Sequence, residues 1–308
     1  MNLTSLLNAM PGATAQGLIW GIMAIGVYIT YKVLDLADLT VDGSMATGGA
    51  VCVMLMLNGV NLWLALLCAV LAGMLAGLIT GIFHTAMGIP PILSGILTQL
   101  SLYSINLAIM DFKANQGINV TKYALLVSQR NVRDPGLGNP IYTTLIAIAL
   151  LIALLYWFFG TELGSSLRAT GANEAMSRAQ GINTNVAKIL GLMISNGIVA
   201  LSSAMLAHYQ GFVDVNMGRG AIVIGLAAVI ISEVLFSRLF RNFALKLAGV
   251  VIGAVIYFIV IQVVLWLGLN TNLLKLLSAL IVAVFLAIPF WKANIAAGHA
   301  GKGGHGHA

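Results

Sequence analysis

Charged residues are scarce in this sequence: Asp, Glu, Lys and Arg together make up 8% of its 308 residues. An ordinary soluble domain carries about 25% charged residues, so a soluble fold of this length could not cover its surface with so few ionic groups. Hydrophobic residues make up 60% of the chain, and no polar block of domain size interrupts them. We therefore predict an all-α, polytopic transmembrane helix bundle over residues 1–292, followed by a flexible, Gly/His-rich cytoplasmic tail over 293–308.

Cysteine is almost absent too, and both copies, Cys52 and Cys68, lie in apolar stretches. Disulfide or metal roles need accessible or clustered thiols, so we predict packing roles for them. The tail histidines His299, His305 and His307 have no acidic or thiol partner nearby, and we predict no metal site. The net charge of +6 comes without a basic stripe interleaved with aromatics. It indicates loops that face anionic membrane lipid and no nucleic-acid partner.

Long apolar runs dominate the chain, and a helix that crosses a bilayer needs about 20 such residues. Eight or nine spans are predicted, at 14–33, 44–59, 61–83, 91–110, 140–159, 187–208, 219–236, 244–268 and 272–291. Two of these are irregular, because 44–59 is short and 219–236 begins with Gly-Arg-Gly. We predict that one or both are broken or re-entrant helices, which membranes tolerate only against protein or a water-filled cavity.

Basic residues set the predicted orientation, because cytoplasmic loops collect lysine and arginine. If 160–186 is cytoplasmic, nine basic residues lie inside and six outside. The inner ones are Lys32, Arg168, Arg178, Lys188, Arg238, Arg241, Lys246, Lys292 and Lys302. The outer ones are Lys113, Lys122, Arg130, Arg133, Arg219 and Lys275. This bias predicts a multi-pass protein with its N-terminus outside and its C-terminus in the cytoplasm.

The predicted spans lack ionisable groups; from Gly43 to Met110 there is no Asp, Glu, Lys or Arg. Ion-coupled transporters usually place such a group at membrane depth, so self-powered transport is disfavoured. Glu233 is the one acid near a span interior, and it is read either as an interfacial partner of Arg238 or Arg241 or as a pathway residue. The sequence has no GxxxxGK[ST] phosphate-binding loop, which predicts that any ATP is bound by a partner.

Two sets of polar residues are candidates for a solute pathway. Asp38 and Asp42 both precede the second predicted span, and a helical turn there would place them on one face. They predict either a helix cap or a broken helix beside the pathway. Gln99 and Asn106 lie two helical turns apart on one face of the fourth span. They either line a wet cavity or hydrogen-bond to another helix, since a buried amide needs a partner.

The inner loop contains the signature of a short, capped helix. Asn173 is a suitable N-cap, Glu174 suits the first turn, and Gly181 is a natural terminator. Its apolar face consists of Ala175, Met176, Ala179 and Ile182. Such a helix could dock in a groove of a partner protein or lie on lipid. The small side chains bury too little area for firm membrane binding, which favours docking.

This loop resembles the cytoplasmic coupling region of permease subunits of ABC importers of the ribose/branched-chain amino acid type. The resemblance lies in Arg-Ala-Thr-Gly-Ala-Asn-Glu-Ala-Met-Ser-Arg-Ala-Gln-Gly-Ile-Asn over residues 168–183. Residues 38–44 and 225–233 are similar to two further stretches of those permeases. The sequence departs from the family pattern at Asp42, which is inserted before Gly-Ser, and at Glu233, which replaces a glycine. These departures resemble a subgroup linked to aromatic amino acids.

The resemblance implies a transport subunit without catalysis or cofactor of its own. It implies a homodimer of permeases in a bacterial inner membrane and a cytoplasmic ATPase that binds ATP. It also implies an extracellular binding protein that delivers the solute, an amino acid and preferably an aromatic one. The implied ATPase-coupling residues are Arg168, Gly171, Asn173, Glu174, Ala175, Met176, Arg178, Ala179 and Gly181. A sugar or nucleoside substrate, a self-contained secondary transporter or facilitator, and a non-transporting scaffold are the alternatives.

Overall fold

The computed structural model describes residues 3–120, 123, 125–133, 136, 138–236 and 240–268, and eight further residues between 273 and 287. The predicted span 272–291 lies largely outside the described residues, and the tail 293–308 lies wholly outside them. The described α-helices are α1 Leu3–Tyr28, α2 Thr40–Leu57, α3 Leu62–Thr85, α4 Pro91–Ile109, α5 Pro140–Gly160, α6 Glu162–Ala172, α7 Glu174–Ala179, α8 Thr184–Gln210, α9 Ala221–Phe236 and α10 Phe243–Trp266. This architecture confirms the predicted all-α polytopic bundle.

Seven of these helices are long and apolar enough to cross a membrane: α1 with its π-helical extension Ile29–Val33, α2, α3, α4, α5, α8 and α10. The helix α2 begins at Thr40, four residues before the predicted start, because polar Thr40 and Asp42 form its first turn. The helix α9 has 16 residues and is about 24 Å long, less than the roughly 30 Å of a hydrocarbon core. The irregular backbone predicted at 219–236 is therefore confirmed.

The centre of the bundle is formed by α1 and α8, whose side chains are mostly buried. The helix α3 packs closely on α8 through its glycine stripe: a Cβ at Gly77 would collide with the Leu192 carbonyl oxygen. Gly73 lies in the same way against the carbonyl of Asn196. The absence of a side chain at these glycines lets the two helix backbones approach closely.

The helix α5 lies at the periphery. Its long apolar side chains point away from the protein, with Leu150 66% and Trp157 72% exposed. A surface of this kind is stable only against lipid tails. The apolar surplus of the composition is thus placed on the outside of the bundle.

A two-stranded antiparallel sheet lies at the end of the bundle opposite α6 and α7, where it joins two of the connections between helices. Strand β1, Asn115–Gly117, pairs with β2, Phe212–Asp214, with Gln116 opposite Val213. The sheet fastens the long α4–α5 loop to the α8–α9 connection. A 3₁₀ turn at Gln129–Arg133 completes this surface over the start of α1.

Candidate functional site: the coupling loop and the α2–α9 junction

The inner loop folds into two capped helices, of which only the second was predicted. The Asn173 side chain accepts a hydrogen bond from the Met176 N–H at 3.0 Å and starts α7. Gly181 follows α7 with a φ of +85°, the left-handed conformation that glycine adopts without a steric penalty. Asn183 then caps α8 by accepting from Val186 N–H at 3.2 Å. The predicted caps are therefore in place at both ends of α7, and they fix its position locally.

The apolar face of α7 has no partner in the described part of the chain. Ala175 and Ala179 are exposed, and Met176 is 60% exposed, while Ser177 on the opposite side is buried. The predicted fourth member, Ile182, is half-buried. An exposed small-residue face on a rigid helix is suited to docking in a groove of another protein.

Two of the predicted coupling residues face the permease itself. The Arg168 guanidinium donates to the Phe159 carbonyl oxygen at 2.8 Å and closes the α5–α6 corner. Gly171 lies so close to the end of the α1 extension that a Cβ would collide with the Val33 carbonyl oxygen. These residues hold the loop on the bundle, while Ala175, Met176 and Ala179 of α7 are exposed.

Glu174 connects α7 to the first turns of α8. Its carboxylate pairs with the Arg178 guanidinium at 2.7 Å and with the Lys188 ammonium at 2.8 Å. The hydrogen bond from Lys188 is the main reason that the pKa of Glu174 lies below its usual range. Arg178 also donates to the Thr184 hydroxyl at 3.0 Å. These contacts attach α7 to the start of α8, the central helix of the bundle.

The helix α2 runs parallel to α8, and the contacts between them fix its depth. The Ser44 hydroxyl donates to the Asn196 side-chain oxygen at 2.6 Å, and the Gly49 N–H donates to the Ser203 hydroxyl at 3.1 Å. Residue numbers on the two helices rise together along these contacts, which defines a parallel pair. Because Asn196 lies near the middle of α8, α2 begins at mid-depth in the bundle.

Asp38 lies at this mid-depth position and is buried, with 3% exposure. Its carboxylate accepts from the Asn196 side-chain amide at 2.7 Å and from the Thr40 N–H at 2.9 Å. The expectation that no acid lies inside the membrane region was wrong. The segment before α2 folds back into the bundle, which a search for apolar runs does not detect. The missing charges therefore no longer argue against ion coupling.

A helix cap was one of the two predicted interpretations of Asp42, and Asp42 does cap a helix. The capped helix is α9, however, and not α2, in which Asp42 itself lies. Its two carboxylate oxygens accept from the Gly220 N–H at 2.9 Å and the Ile222 N–H at 3.0 Å. These are free amides at the N-terminus of α9, where a carboxylate is favoured. The N-termini of α2 and α9 therefore meet inside the bundle, and we call this contact, together with the adjoining residues Asp38, Ser44 and Asn196, the α2–α9 junction. Asp38 and Asp42 do not share a helical face, because Asp38 precedes α2.

Gln99 and Asn106 both lie beside Gly43 of α2. The Asn106 amide is fully buried and lies 3.5 Å from the Gly43 carbonyl oxygen. A Cβ at Gly43 would lie 3.1 Å from the Gln99 Cα. The interpretation as contacts between helices fits Asn106, while Gln99 is half-buried and stays a prediction as a pathway residue.

Glu233 lies apart from these residues, near the inner end of α9. Its carboxylate forms an ion pair with the Lys32 ammonium at 2.8 Å. The predicted interfacial ion pair is present, but its partner comes from the α1 extension and not from Arg241; Arg238 lies outside the described residues. Lys32 was assigned only to the orientation bias, since nothing in the sequence connects it with residue 233.

Asn196 is the central residue of the junction, and sequence reasoning missed it. It binds Asp38 through its amide nitrogen and Ser44 through its oxygen. The available signal was the polar triplet Ser195-Asn196-Gly197 inside an otherwise apolar span. A polar triplet in such a place requires partners on a neighbouring helix.

A polytopic bundle with helices that begin at mid-depth is typical of membrane transport proteins. Residues 10–288 match the family model described as branched-chain amino acid transport system / permease component. The chain belongs to this family of ABC importer permeases. Family membership confirms the resemblance and sets aside both the scaffold and the self-contained transporter.

Individual relatives serve different solutes. The chain is 41% identical over 281 residues to the tyrosine transport system permease protein of Clostridioides difficile, covering 91% of each protein. It is 27% identical over 249 residues to the fructose import permease protein FruF of Bifidobacterium longum, covering 80% of this chain and 68% of that protein. Among solved structures, PsaBC from Streptococcus pneumoniae in complex with Fab matches with a TM-score of 0.53 at 16% identity, covering 94% of this chain and 95% of that chain. That structural likeness supports the fold.

Proposed function

We propose that this permease imports an amino acid with an aromatic side chain, driven by a cytoplasmic ATPase that docks on α7. A homodimer encloses the pathway, and an external binding protein delivers the solute. The observation that carries the ATPase part is the unpartnered face of Ala175, Met176 and Ala179 on a helix fastened to α8 through Glu174. When the two ATPases close against each other, they would move α7 of each permease. The ion pair between Glu174 and Lys188 would pass this movement to α8, the central helix.

The amino acid class is supported by the tyrosine permease, which shares 41% identity along nearly the whole chain. A fructose permease is related at lower identity, so a sugar is the competing substrate. Uptake of labelled tyrosine and fructose by cells that express the complete importer separates the two. Tyrosine uptake that unlabelled fructose does not inhibit is the expected result; fructose uptake without tyrosine uptake would contradict the proposal.

The docking role of α7 is tested by single charge substitutions. Met176→Glu places a carboxylate in the apolar face and is expected to abolish co-purification of the ATPase while the permease stays folded. Phe112→Glu is the matched control, since Phe112 is 81% exposed on the opposite side of the bundle. Undiminished ATPase recovery with Met176→Glu would remove α7 from the interface.

The orientation is part of the same proposal, with α7 in the cytoplasm and the β1–β2 sheet outside. It is supported by the nine-to-six division of basic residues. Single cysteines at positions 176 and 112, in a chain whose own two cysteines are replaced by alanine, would report it. An impermeant maleimide added to intact cells should label position 112 only.

A further inference from the structure

Two adjacent cavities lie against α1 and α10, on the side of the bundle that carries the β1–β2 sheet. The deeper one, here called the chamber, has a volume of about 440 Å³ and includes Trp20, Tyr257 and Phe258 in its wall. The outer one, the vestibule, has a volume of about 400 Å³ and is bordered by Gln129 and Arg130 of the 3₁₀ turn. Ala13, Gln16 and Gln262 line both cavities. These volumes are in the range of small-molecule sites, and together they form a passage that becomes more apolar with depth.

The chamber wall is aromatic. The rings of Trp20 and Phe258 lie 5.7 Å apart and are tilted by 41°, which leaves ring faces and edges for a further aromatic group. Trp20 is 7% exposed, and its indole N–H has no hydrogen-bond partner among the described residues. A buried indole donor normally finds a partner, and an acceptor on a bound solute would provide one.

A cationic side chain lies at the end of the chamber nearest α9. Arg219 lines the chamber and pairs with no carboxylate within the described ranges; its guanidinium carbon lies 5.9 Å from the Tyr103 ring centroid. The adjacent residue, Gly220, also lines the chamber, and its N–H is used in the hydrogen bond to Asp42. Arg219 is therefore the group that can pair with the carboxylate of a solute in the chamber.

We propose that the chamber is an outward-facing binding site for the aromatic amino acid, entered through the vestibule. Arg219 receives the carboxylate of the solute, and Trp20 and Phe258 hold the ring. This assignment rests on the proposed function and gives the permease its own selectivity beyond that of the binding protein.

The test measures binding of tritiated tyrosine to the full-length permease in lipid nanodiscs, without the binding protein. Arg219→Gln is expected to weaken binding about tenfold or more, the effect of losing one charge-assisted hydrogen bond. Phe258→Leu removes an aromatic wall and is expected to weaken binding of tyrosine and phenylalanine alike. The matched controls Lys113→Gln and Phe112→Leu, both outside the cavities, should bind tyrosine as the unchanged chain does.

Three outcomes would overturn the assignment. Tyrosine binding that is equal in Arg219→Gln, Phe258→Leu and the unchanged chain would place the solute elsewhere. A lipid that native mass spectrometry finds retained in the unchanged permease, lost in Arg219→Gln and not displaced by tyrosine would make the chamber a lipid site. In cells with the complete importer, tyrosine uptake unaffected by both substitutions would overturn the chamber while the proposed function stands. Absence of tyrosine uptake by the unchanged importer would contradict both.

Discussion

The coupling loop and the α2–α9 junction hold their carboxylates in opposite ways. Glu174 of the loop has a side chain 40% exposed and partners within 14 residues of it along the chain. Asp38 and Asp42 are bound by groups 158 to 180 residues away, at mid-depth in the bundle. The same chemical group is therefore a surface clamp in one region and a long-range connection in the other.

The difference shows where the rigidity of each region comes from. The loop is fixed by caps and short-range ion pairs, each of which contributes little because water competes for it. The junction is fixed by hydrogen bonds, of which those of Asp38 are buried, so losing a partner of Asp38 leaves a polar group without compensation. We expect substitutions in the junction to lower stability and substitutions in the loop to change coupling.

The largest loss of stability is expected for Asn196→Leu, which leaves the buried Asp38 carboxylate without its amide donor. The expected destabilisation is about 3 kcal/mol, since a buried charged group without its partner carries the full desolvation penalty. Thermal melting of the solubilised protein, followed by size-exclusion chromatography, measures it. Asp38→Asn in the same background should restore part of the loss; an unchanged melting temperature for Asn196→Leu would show that the junction is not rigid.

Gly171→Glu and Ala175→Glu form a pair that separates the two functions of the coupling loop. Gly171→Glu is expected to destabilise the permease by about 1–3 kcal/mol, because the new side chain collides with the Val33 carbonyl. Ala175→Glu should leave the melting temperature unchanged and abolish ATPase recovery. Equal melting temperatures for the two variants would contradict the inward position of Gly171.

Removing the Asp42 carboxylate tests the contact between two helix N-termini. Asp42→Ala is expected to destabilise the chain by about 1–2 kcal/mol, the usual effect of losing a helix cap. Asp42→Asn keeps an acceptor oxygen and should recover roughly half of that. The melting temperatures of the two variants measure the effect, and an Asp42→Ala protein as stable as the unchanged chain would exclude a capping role.

The smallest effect on stability is expected for Glu174→Gln, below about 1 kcal/mol, because the ion pairs are solvent-exposed. Lys188 and Arg178 lower the pKa of Glu174. The clamp, meaning the ion pairs between Glu174 and these two residues, therefore contributes its full stabilisation above the unfolded-state pKa of about 4.3. It is lost as the pH falls through the lower folded value. A nitroxide at Met176→Cys should become mobile as the pH falls through the lowered folded-state pKa of Glu174 and be mobile at pH 7 in Glu174→Gln. A label equally immobile in that variant at pH 7 would contradict the clamp.

The helices and the capped loop could be predicted because their signals are local. Asn173, Glu174 and Gly181 lie within nine residues of one another and specify α7 by backbone geometry alone. The sequence predicts that Asp42 caps a helix, yet the helix that it caps, α9, begins 179 residues further on. Lys32 was missed as the partner of Glu233 for the same reason, since each residue taken alone is an ordinary charge at a span end.

The amino-acid sequence by itself determined that this chain is a membrane helix bundle with a short capped helix at 174–179, because apolar content and capping residues act over one or two helical turns. Only the tertiary structure decided that Asp38 and Asp42 lie at mid-depth and that Arg219 joins Trp20 at one chamber. Those positions depend on which helices pack together, and close approach at glycines such as Gly77 sets that packing across the whole chain.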